Sequence, residues 1–172
     1  TGGSFDRARS PVRSTAPVTL TTRVDAGALV TLREGLKAKA KGKKNVPAYG
    51  DIVMREVAQA LLEHPALNAR WEEDHIRHPD FVNIGFAVDT DAGLIVPVIR
   101  NVDQKGVFDL AKELEVLAQK ARDRKVSGDE LKGGTFTISN QGAIGGAHFT
   151  PIINKPELVE WKMTQAVLAA QG

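Results

Sequence analysis

Two apolar runs with a turn between them restrict the fold of this 172-residue chain more than any other feature. Residues 81–88 and 94–99 are rich in β-branched and aromatic side chains, and the DTDAG segment at 89–93 contains turn-forming residues. This pattern predicts two neighbouring strands joined by a tight turn. Pro97 lies inside the second run and cannot donate a ladder hydrogen bond, so we expect a sheet edge or a bulge there.

Three segments have apolar residues at helical spacing: residues 28–41, 51–64 and 107–125. Asp51 can cap the second of them, and His64, which stands before a proline, should end it. The third is amphipathic, with leucines on one face and charged residues on the other.

Further strands and helices complete the predicted order. Residues 18–24 alternate as a strand does, residues 136–138 form a short strand that runs into a glycine-rich turn, and residues 158–170 are compatible with a helix. Because strands and helices mix without strict alternation, the predicted class is α/β or α+β with a mixed sheet.

Composition excludes several classes of function. The chain has no cysteine, which rules out a disulfide framework and a cysteine nucleophile. A net charge of +2 is too small to imply nucleic acid, and the lysines within residues 37–44 lack interleaved aromatic residues, so a solvated helix end is preferred there. No apolar run has membrane-spanning length and no signal-peptide core is present, so a cytoplasmic location is the default expectation.

Taken without any family likeness, the sequence contains few candidates for chemistry. The glycines of residues 142–149 (GAIGGAHF) do not open a helix after a strand, so a tight turn is preferred to phosphate binding. His64 suits a helix end, and the spacing of His75 and His78 is poor evidence for a metal site.

Four phrases, in order along the chain, resemble the catalytic domain of the dihydrolipoamide acyltransferases of 2-oxo acid dehydrogenase complexes. They are residues 18–40 (VTLTTRVDAGALVTLREGLKAKA), 61–71 (LLEHPALNARW), 82–101 (VNIGFAVDTDAGLIVPVIRN) and 133–154 (GGTFTISNQGAIGGAHFTPIIN). Residues 1–17 are rich in Gly, Ser, Arg and Pro and predict a flexible arm. The likeness implies an acyltransferase core at 18–157, followed by a divergent tail at 158–172.

The resemblance also implies a fold and a setting. Such domains have a chloramphenicol acetyltransferase-like fold, a mixed β-sheet with packed helices, which would be incomplete at its C-terminal end here. They form trimers that build large hollow cores, alongside decarboxylase and dihydrolipoamide dehydrogenase components. The acyl group arrives on the lipoyl group of a separate lipoyl domain and leaves on coenzyme A. A cytoplasmic location is implied for a bacterial protein, or the mitochondrial matrix for a eukaryotic one.

The resemblance assigns roles to individual residues. Ser139 matches the family serine that stabilises the negative charge of the tetrahedral intermediate. Arg33, Asp89, Ser139 and Asn140 match positions that bind coenzyme A, with Arg33 suited to a phosphate. Ala48 stands where the family often has a serine. Without the resemblance, Ser139 and Asp89 would be assigned to turns and Arg33 to a helix surface.

The sequence departs from the family pattern after residue 157. The family base is a histidine in an HxxxDG motif, and this chain contains no Asp-Gly dipeptide. Three explanations compete: a fragment or rearranged form of an active enzyme, an inactive homologue that acts as an assembly scaffold or coenzyme A-binding module, or a base supplied by another chain. The sequence does not specify the acyl group or the size of the core.

Overall fold

A computed structural model describes residues 18–40, 46–91, 93–140 and 153–163. Its helices are α1 (Gly27–Lys39), α2 (Tyr49–Glu63) and α3 (Val107–Arg122), with short 3-10 helices at Val102–Gln104 and Asp129–Leu131. Its strands are β1 (Arg70–Glu72), β2 (His75–Arg77), β3 (Ile84–Phe86), β4 (Val88–Thr90), β5 (Gly93–Ile95), β6 (Val98–Ile99), β7 (Phe136–Asn140) and β8 (Glu160–Met163).

The main sheet has four strands in the order β6-β3-β7-β8. β3 pairs antiparallel with β6 and parallel with β7, and β7 pairs parallel with β8. The predicted mixed sheet with packed helices is therefore confirmed. Two antiparallel hairpins accompany it, β1–β2 and β4–β5.

Each predicted apolar strand is divided in two by the structure. Residues 81–88 supply β3 and the first residue of β4, whereas residues 94–99 supply most of β5 and all of β6. β3 and β6, which lie farther from the turn, join the main sheet, whereas β4 and β5, which flank the turn, form a hairpin beyond it. β6 is an edge strand directly preceded by Pro97, whose carbonyl accepts the Phe86 N–H at 3.0 Å. The expectation of a sheet edge at Pro97 is confirmed.

The core lies between the sheet and the helices α2 and α3. Its buried side chains are Met54, Ala58 and Leu61 from α2, Leu110 and Leu117 from α3, and Val82, Ile84, Ile99, Val102, Phe136 and Ile138 from the sheet and its connections. Full burial of each larger side chain contributes about 1.5–3 kcal/mol. This packing fixes the position of the β7 strand relative to the start of α2.

The strand expected at residues 18–24 is wrong for this chain. That segment has no regular secondary structure, and Leu20 is 94% exposed. A strand requires a partner for its backbone hydrogen bonds, and the described part of the chain offers none to this segment.

The helix expected at residues 158–170 is also wrong over its described part. Glu160–Met163 is the strand β8, paired with β7. Val159, Trp161 and Met163 alternate along the chain with a period of two, which fits a strand, and the exposed backbone edge of β7 supplies its partner.

Several sequence features lie outside the described residues. They are the arm at residues 1–17, the lysines at 41, 43 and 44, the glycine-rich 142–149 segment with His148, and the tail after residue 163. The proposed three-part division of the chain stays a prediction.

Candidate functional site

Ser139 lies near the carboxyl end of β7, between two parallel neighbours. The β3 side is joined to β7 by the bond from the Ala87 N–H to the Ile138 carbonyl, at 3.2 Å. The Ser139 side chain is 6% exposed, and its hydroxyl donates to Oε1 of Glu160 at 2.7 Å. The serine singled out by resemblance is therefore held inside the sheet by a carboxylate from the next strand.

A second hydroxyl on β7 makes the same kind of contact. Thr137 donates to Oε2 of Glu157 at 2.5 Å, and the amide of Asn154 lies 3.5 Å from the other carboxylate oxygen. Because residues two apart share one face of a strand, the hydroxyls of Thr137 and Ser139 align, each with its own carboxyl group. We call Glu157 and Glu160 the carboxyl pair.

Glu157 is 3% exposed, and its pKa is raised to about 7. Burial is the largest cause, because it disfavours the charged form, and the charge of Glu160 adds to it. The hydrogen bonds from Thr137 and Asn154 and the charge of Arg70 act in the opposite direction. The carboxyl pair thus concentrates acidic groups beside the two β7 hydroxyls.

Sequence reasoning alone does not single out either member of the carboxyl pair. Glu157 ends the NKPE phrase, but its local sequence does not distinguish it from other acidic residues that precede apolar ones, such as Asp109 and Glu115. Glu160 belongs to the segment expected to be helical, so its contact with Ser139 follows only from the strand pairing.

Arg33 lies beside the N-terminus of α2. Its guanidinium carbon is 4.8 Å from the centroid of the Tyr49 ring, a cation–π distance. Its Nε atom is buried and makes no hydrogen bond to any described residue. The Arg33 head group is thus packed on one side while one of its donors remains unsatisfied.

The start of α2 differs from the sequence prediction in one detail. The N-cap residue is Ala48, and Asp51 lies three residues further on, where its carboxylate accepts the Ala48 N–H at 2.8 Å. Burial raises the pKa of Asp51, whereas the hydrogen bond from Ala48 and the charge of Arg33 act to lower it. Asp51 therefore stabilises the helix start from inside the first turn.

Asn140 brings the end of β7 to this helix start. A methyl group placed on Gly50 would lie 3.4 Å from the Asn140 amide nitrogen. The structure thus places Asn140 and Arg33 beside the first turn of α2, whereas the side chain of Ser139, the preceding residue of β7, faces the other side of the sheet. Asp89 is exposed on the β4–β5 hairpin, opposite Leu94, and makes no hydrogen bond or ion pair to those three residues.

An open groove of about 340 Å³ adjoins the α2 N-terminus. Its lining is mostly apolar, with two carboxyl groups: Val46, Ala48, Asp51, Phe86, Ala111, Leu114, Glu115 and Ala118. Over the described residues, no cluster of His, Asp and Glu side chains is arranged to hold a metal ion. None of the described helices is long and apolar enough to cross a membrane.

Comparison with known proteins gives this fold and site a family. The family model described as 2-oxoacid dehydrogenases acyltransferase (catalytic domain) matches residues 7–167. The chain belongs to this family.

Relatives with curated names share the same assignment. The chain is 43% identical over 149 residues to the dihydrolipoyllysine-residue acetyltransferase component of the pyruvate dehydrogenase complex of Staphylococcus aureus (strain Mu50), covering 85% of this chain and 35% of that protein. The Staphylococcus epidermidis counterpart is 41% identical over the same length, with 34% of it covered. The chain thus spans about a third of the length of these relatives.

Solved structures agree with the fold. The dihydrolipoamide acetyltransferase of Azotobacter vinelandii superposes with a TM-score of 0.87 at 37% identity, and the match covers 92% of this chain and 66% of that one. That structure was used to study the role of a serine, a histidine and an asparagine in the catalytic mechanism of the Azotobacter enzyme. A probable dihydrolipoamide acetyltransferase from Listeria monocytogenes gives a TM-score of 0.85 at 32% identity, covering 94% and 71%.

Proposed function

We propose that the chain is the core of a dihydrolipoamide acyltransferase, which transfers an acyl group between dihydrolipoamide and coenzyme A. The observation that carries the proposal is the position of Ser139, a nearly buried hydroxyl near the carboxyl end of β7, one residue before Asn140, whose amide approaches the start of α2. The acetyltransferase names of the relatives support the same reaction class.

The reaction needs two groups from the protein. A base takes the proton of the incoming thiol, the thiolate attacks the thioester carbonyl, and the leaving thiolate recovers the proton when the intermediate collapses. The carbonyl oxygen bears a negative charge in between, and a hydrogen-bond donor stabilises it. In our proposal Ser139 is that donor.

Coenzyme A would bind along the α2 N-terminus. The guanidinium of Arg33 suits a phosphate, and its unsatisfied buried Nε atom is a donor that a ligand could use. Asn140 adjoins the same helix turn, and the apolar groove beside Ala48 suits the less polar part of the ligand. Asp89 would contribute from the β4–β5 hairpin.

The proposed setting is a 2-oxo acid dehydrogenase complex. There the acyl group would arrive on the lipoyl group of a lipoyl domain, with decarboxylase and dihydrolipoamide dehydrogenase components as further partners. Self-association as a trimer and a larger core is proposed by analogy with the cubic core of the pyruvate dehydrogenase multienzyme complex, which matches with a TM-score of 0.87. A cytoplasmic or mitochondrial-matrix location would follow from that setting.

A second candidate is a homologue that binds coenzyme A or scaffolds the assembly without turnover. The observation that favours it is the Glu160 carboxylate at 2.7 Å from the Ser139 hydroxyl, because a negative charge there opposes an oxyanion.

An acyltransfer assay with acetyl-dihydrolipoamide and coenzyme A, together with calorimetric titration of coenzyme A, tests both candidates. Turnover that Ser139→Ala lowers by about 100-fold or more supports the enzyme. The matched control is Ser127→Ala in the exposed loop after α3, which should leave turnover unchanged. Coenzyme A binding without turnover supports the second candidate as a coenzyme A-binding module. Neither binding nor turnover overturns the enzyme and that module, and leaves only the assembly scaffold.

A further inference from the structure

The Ser139 hydroxyl proton is already committed to an acceptor in this structure. The Oγ-to-Oε1 distance of 2.7 Å to Glu160 is typical of a well-formed O–H···O hydrogen bond. A serine hydroxyl has a single proton, so it cannot donate to Glu160 and to an oxyanion at the same time. The position of the Glu160 carboxylate therefore decides what Ser139 can stabilise.

The charge of Glu160 also reaches its surroundings. It contributes to the raised pKa of Glu157, the other member of the carboxyl pair. An oxyanion beside Ser139 would be another negative charge close to Glu160, and Ser139 is almost fully shielded from water. Low exposure weakens the screening of such a repulsion.

Two charged groups of the described residues bear on this effect, one acidic and one basic. Glu157 faces the same side of β7, and Arg70 on β1 acts electrostatically on Glu157. Arg70 also lies 3.8 Å from Glu72, with which it forms an ion pair, so its charge is shared.

We propose that Glu160 is a positioning residue that holds the Ser139 hydroxyl proton and opposes negative charge beside it. Ser139 acts as an oxyanion donor only when the Glu160 carboxylate has moved away. The catalytic meaning of this inference rests on the proposed function. The electrostatic relationship belongs to the two side chains and is measurable without any substrate.

A purely structural role for the contact is the competing explanation. The Ser139–Glu160 bond also connects β7 to β8, which pair through Thr137 with Glu160 and Ser139 with Lys162. If the contact only fastens the strands, then its loss lowers stability but does not change how easily a negative charge forms at position 139.

The test places a titratable group at that position. The chain contains no cysteine, so a Ser139→Cys variant has a single thiol whose ionisation is followed by thiolate absorbance without a reagent. We expect its pKa to lie about 1 unit or more above the ordinary value of about 8.5. Adding Glu160→Gln should lower the pKa by about 1 unit, because burial acts on both variants and only the charge differs.

A matched control removes a carboxylate elsewhere. Glu63 is exposed at the far end of α2 from Gly50, about 20 Å along the helix. Glu63→Gln should leave the thiol pKa of the Ser139→Cys variant unchanged. A pKa that is equal with Glu160 and with its glutamine replacement overturns the proposal.

Two further provisions keep the outcome decisive. If Glu160→Gln prevents folding, Glu160→Asp replaces it: retracting the charge by one methylene group should lower the thiol pKa in part, and an unchanged pKa overturns the proposal equally. Coenzyme A is absent from the titration. Failure to bind coenzyme A therefore refutes the proposed function but does not affect the result on Glu160. An unchanged thiol pKa overturns the proposal on Glu160 but does not affect the proposed function.

Discussion

Thr137 donates its hydroxyl hydrogen bond to Glu157 at 2.5 Å, and this bond joins the middle of β7 to the segment that leads into β8. The same segment is bound to the β1–β2 hairpin, because the Leu158 N–H donates to the Ala69 carbonyl at 3.1 Å and Trp71 N–H to the Pro156 carbonyl at 2.7 Å. Glu157 thus lies where the hairpin, the sheet and the approach to the candidate site meet.

We expect stability to fall as the pH rises through the titration of Glu157. Its pKa is raised from 4.5 to about 7 on folding, so the folded chain holds a proton that the unfolded chain has lost. The contribution is fully present below the unfolded value and is lost as the pH rises through about 7. It amounts to about 3 kcal/mol.

Denaturant unfolding of the chain and of Glu157→Gln at about pH 5 and about pH 8 isolates this contribution from the other carboxyl groups. The glutamine variant, which resembles the protonated acid, should gain stability relative to the parent chain at the higher pH. If the free energies of unfolding of the two proteins differ by the same amount at both pH values, the raised pKa of Glu157 is contradicted.

Gly134→Ala should destabilise the chain by about 1–3 kcal/mol. A methyl group at this position would collide with the Glu157 carboxylate and would lie 3.5 Å from a Val98 methyl group. Glu157 cannot turn away cheaply because Thr137 and Asn154 hold it. The control is Gly128→Ala, which meets nothing within 4 Å and has a φ of −60°. Equal unfolding free energies for the two variants would mean that the carboxylate moves freely.

Ala48→Ser should stabilise the chain by about 1 kcal/mol. Ala48 is the N-cap of α2, with φ −77° and ψ 167°, and Asp51 already accepts its N–H. A serine hydroxyl would accept one of the helix N–H groups that lack a partner and complete the reciprocal cap. Thermal unfolding measures the gain, and Ala38→Ser inside α1 should instead lower stability slightly. A tighter affinity for coenzyme A would support the site as well.

Arg33→Ala should weaken coenzyme A binding by about 10-fold or more, since a charge-assisted contact to phosphate would be lost. Arg33→Lys keeps the charge but loses the planar stacking on Tyr49, so an intermediate affinity is expected. Calorimetric titration gives the dissociation constants, and Arg122→Ala in the last turn of α3 serves as the control. An affinity that none of these changes alters would place coenzyme A elsewhere.

The parts of this structure that depend on local pattern could be predicted from the sequence. The leucines of residues 107–125 gave a helix that begins at Val107, and Pro97 correctly marked a sheet edge. His64 ends α2 as expected from the following proline. Each of these follows from hydrophobic period or backbone chemistry within a few residues.

The parts of the structure that depend on pairing between distant segments could not be predicted from the sequence. Residues 18–24 alternate like a strand but have no described partner, and Glu160 looked helical until β7 provided an edge for it. The prediction of a role for Ser139 came from the resemblance of the whole segment 133–154 to the family, and it stays a prediction. Its acceptor Glu160 lies on another strand, and no local pattern relates the two.

The pairings of β7 have a consequence for the order of folding. Ile84 of β3 pairs with Phe136, and Trp161 of β8 pairs with Ile138, so the chain must close two long loops before β7 has both neighbours. Such distant contacts form late because their loop entropy is lost before they stabilise anything. The loop closed by the β7–β8 pairing, between residues 138 and 161, is shorter than the loop closed by the β3–β7 pairing, between residues 84 and 136, so its entropic cost is lower. We therefore expect β8 amides to gain protection from hydrogen exchange before those of β3, and Ser139 to meet Glu160 in that earlier step.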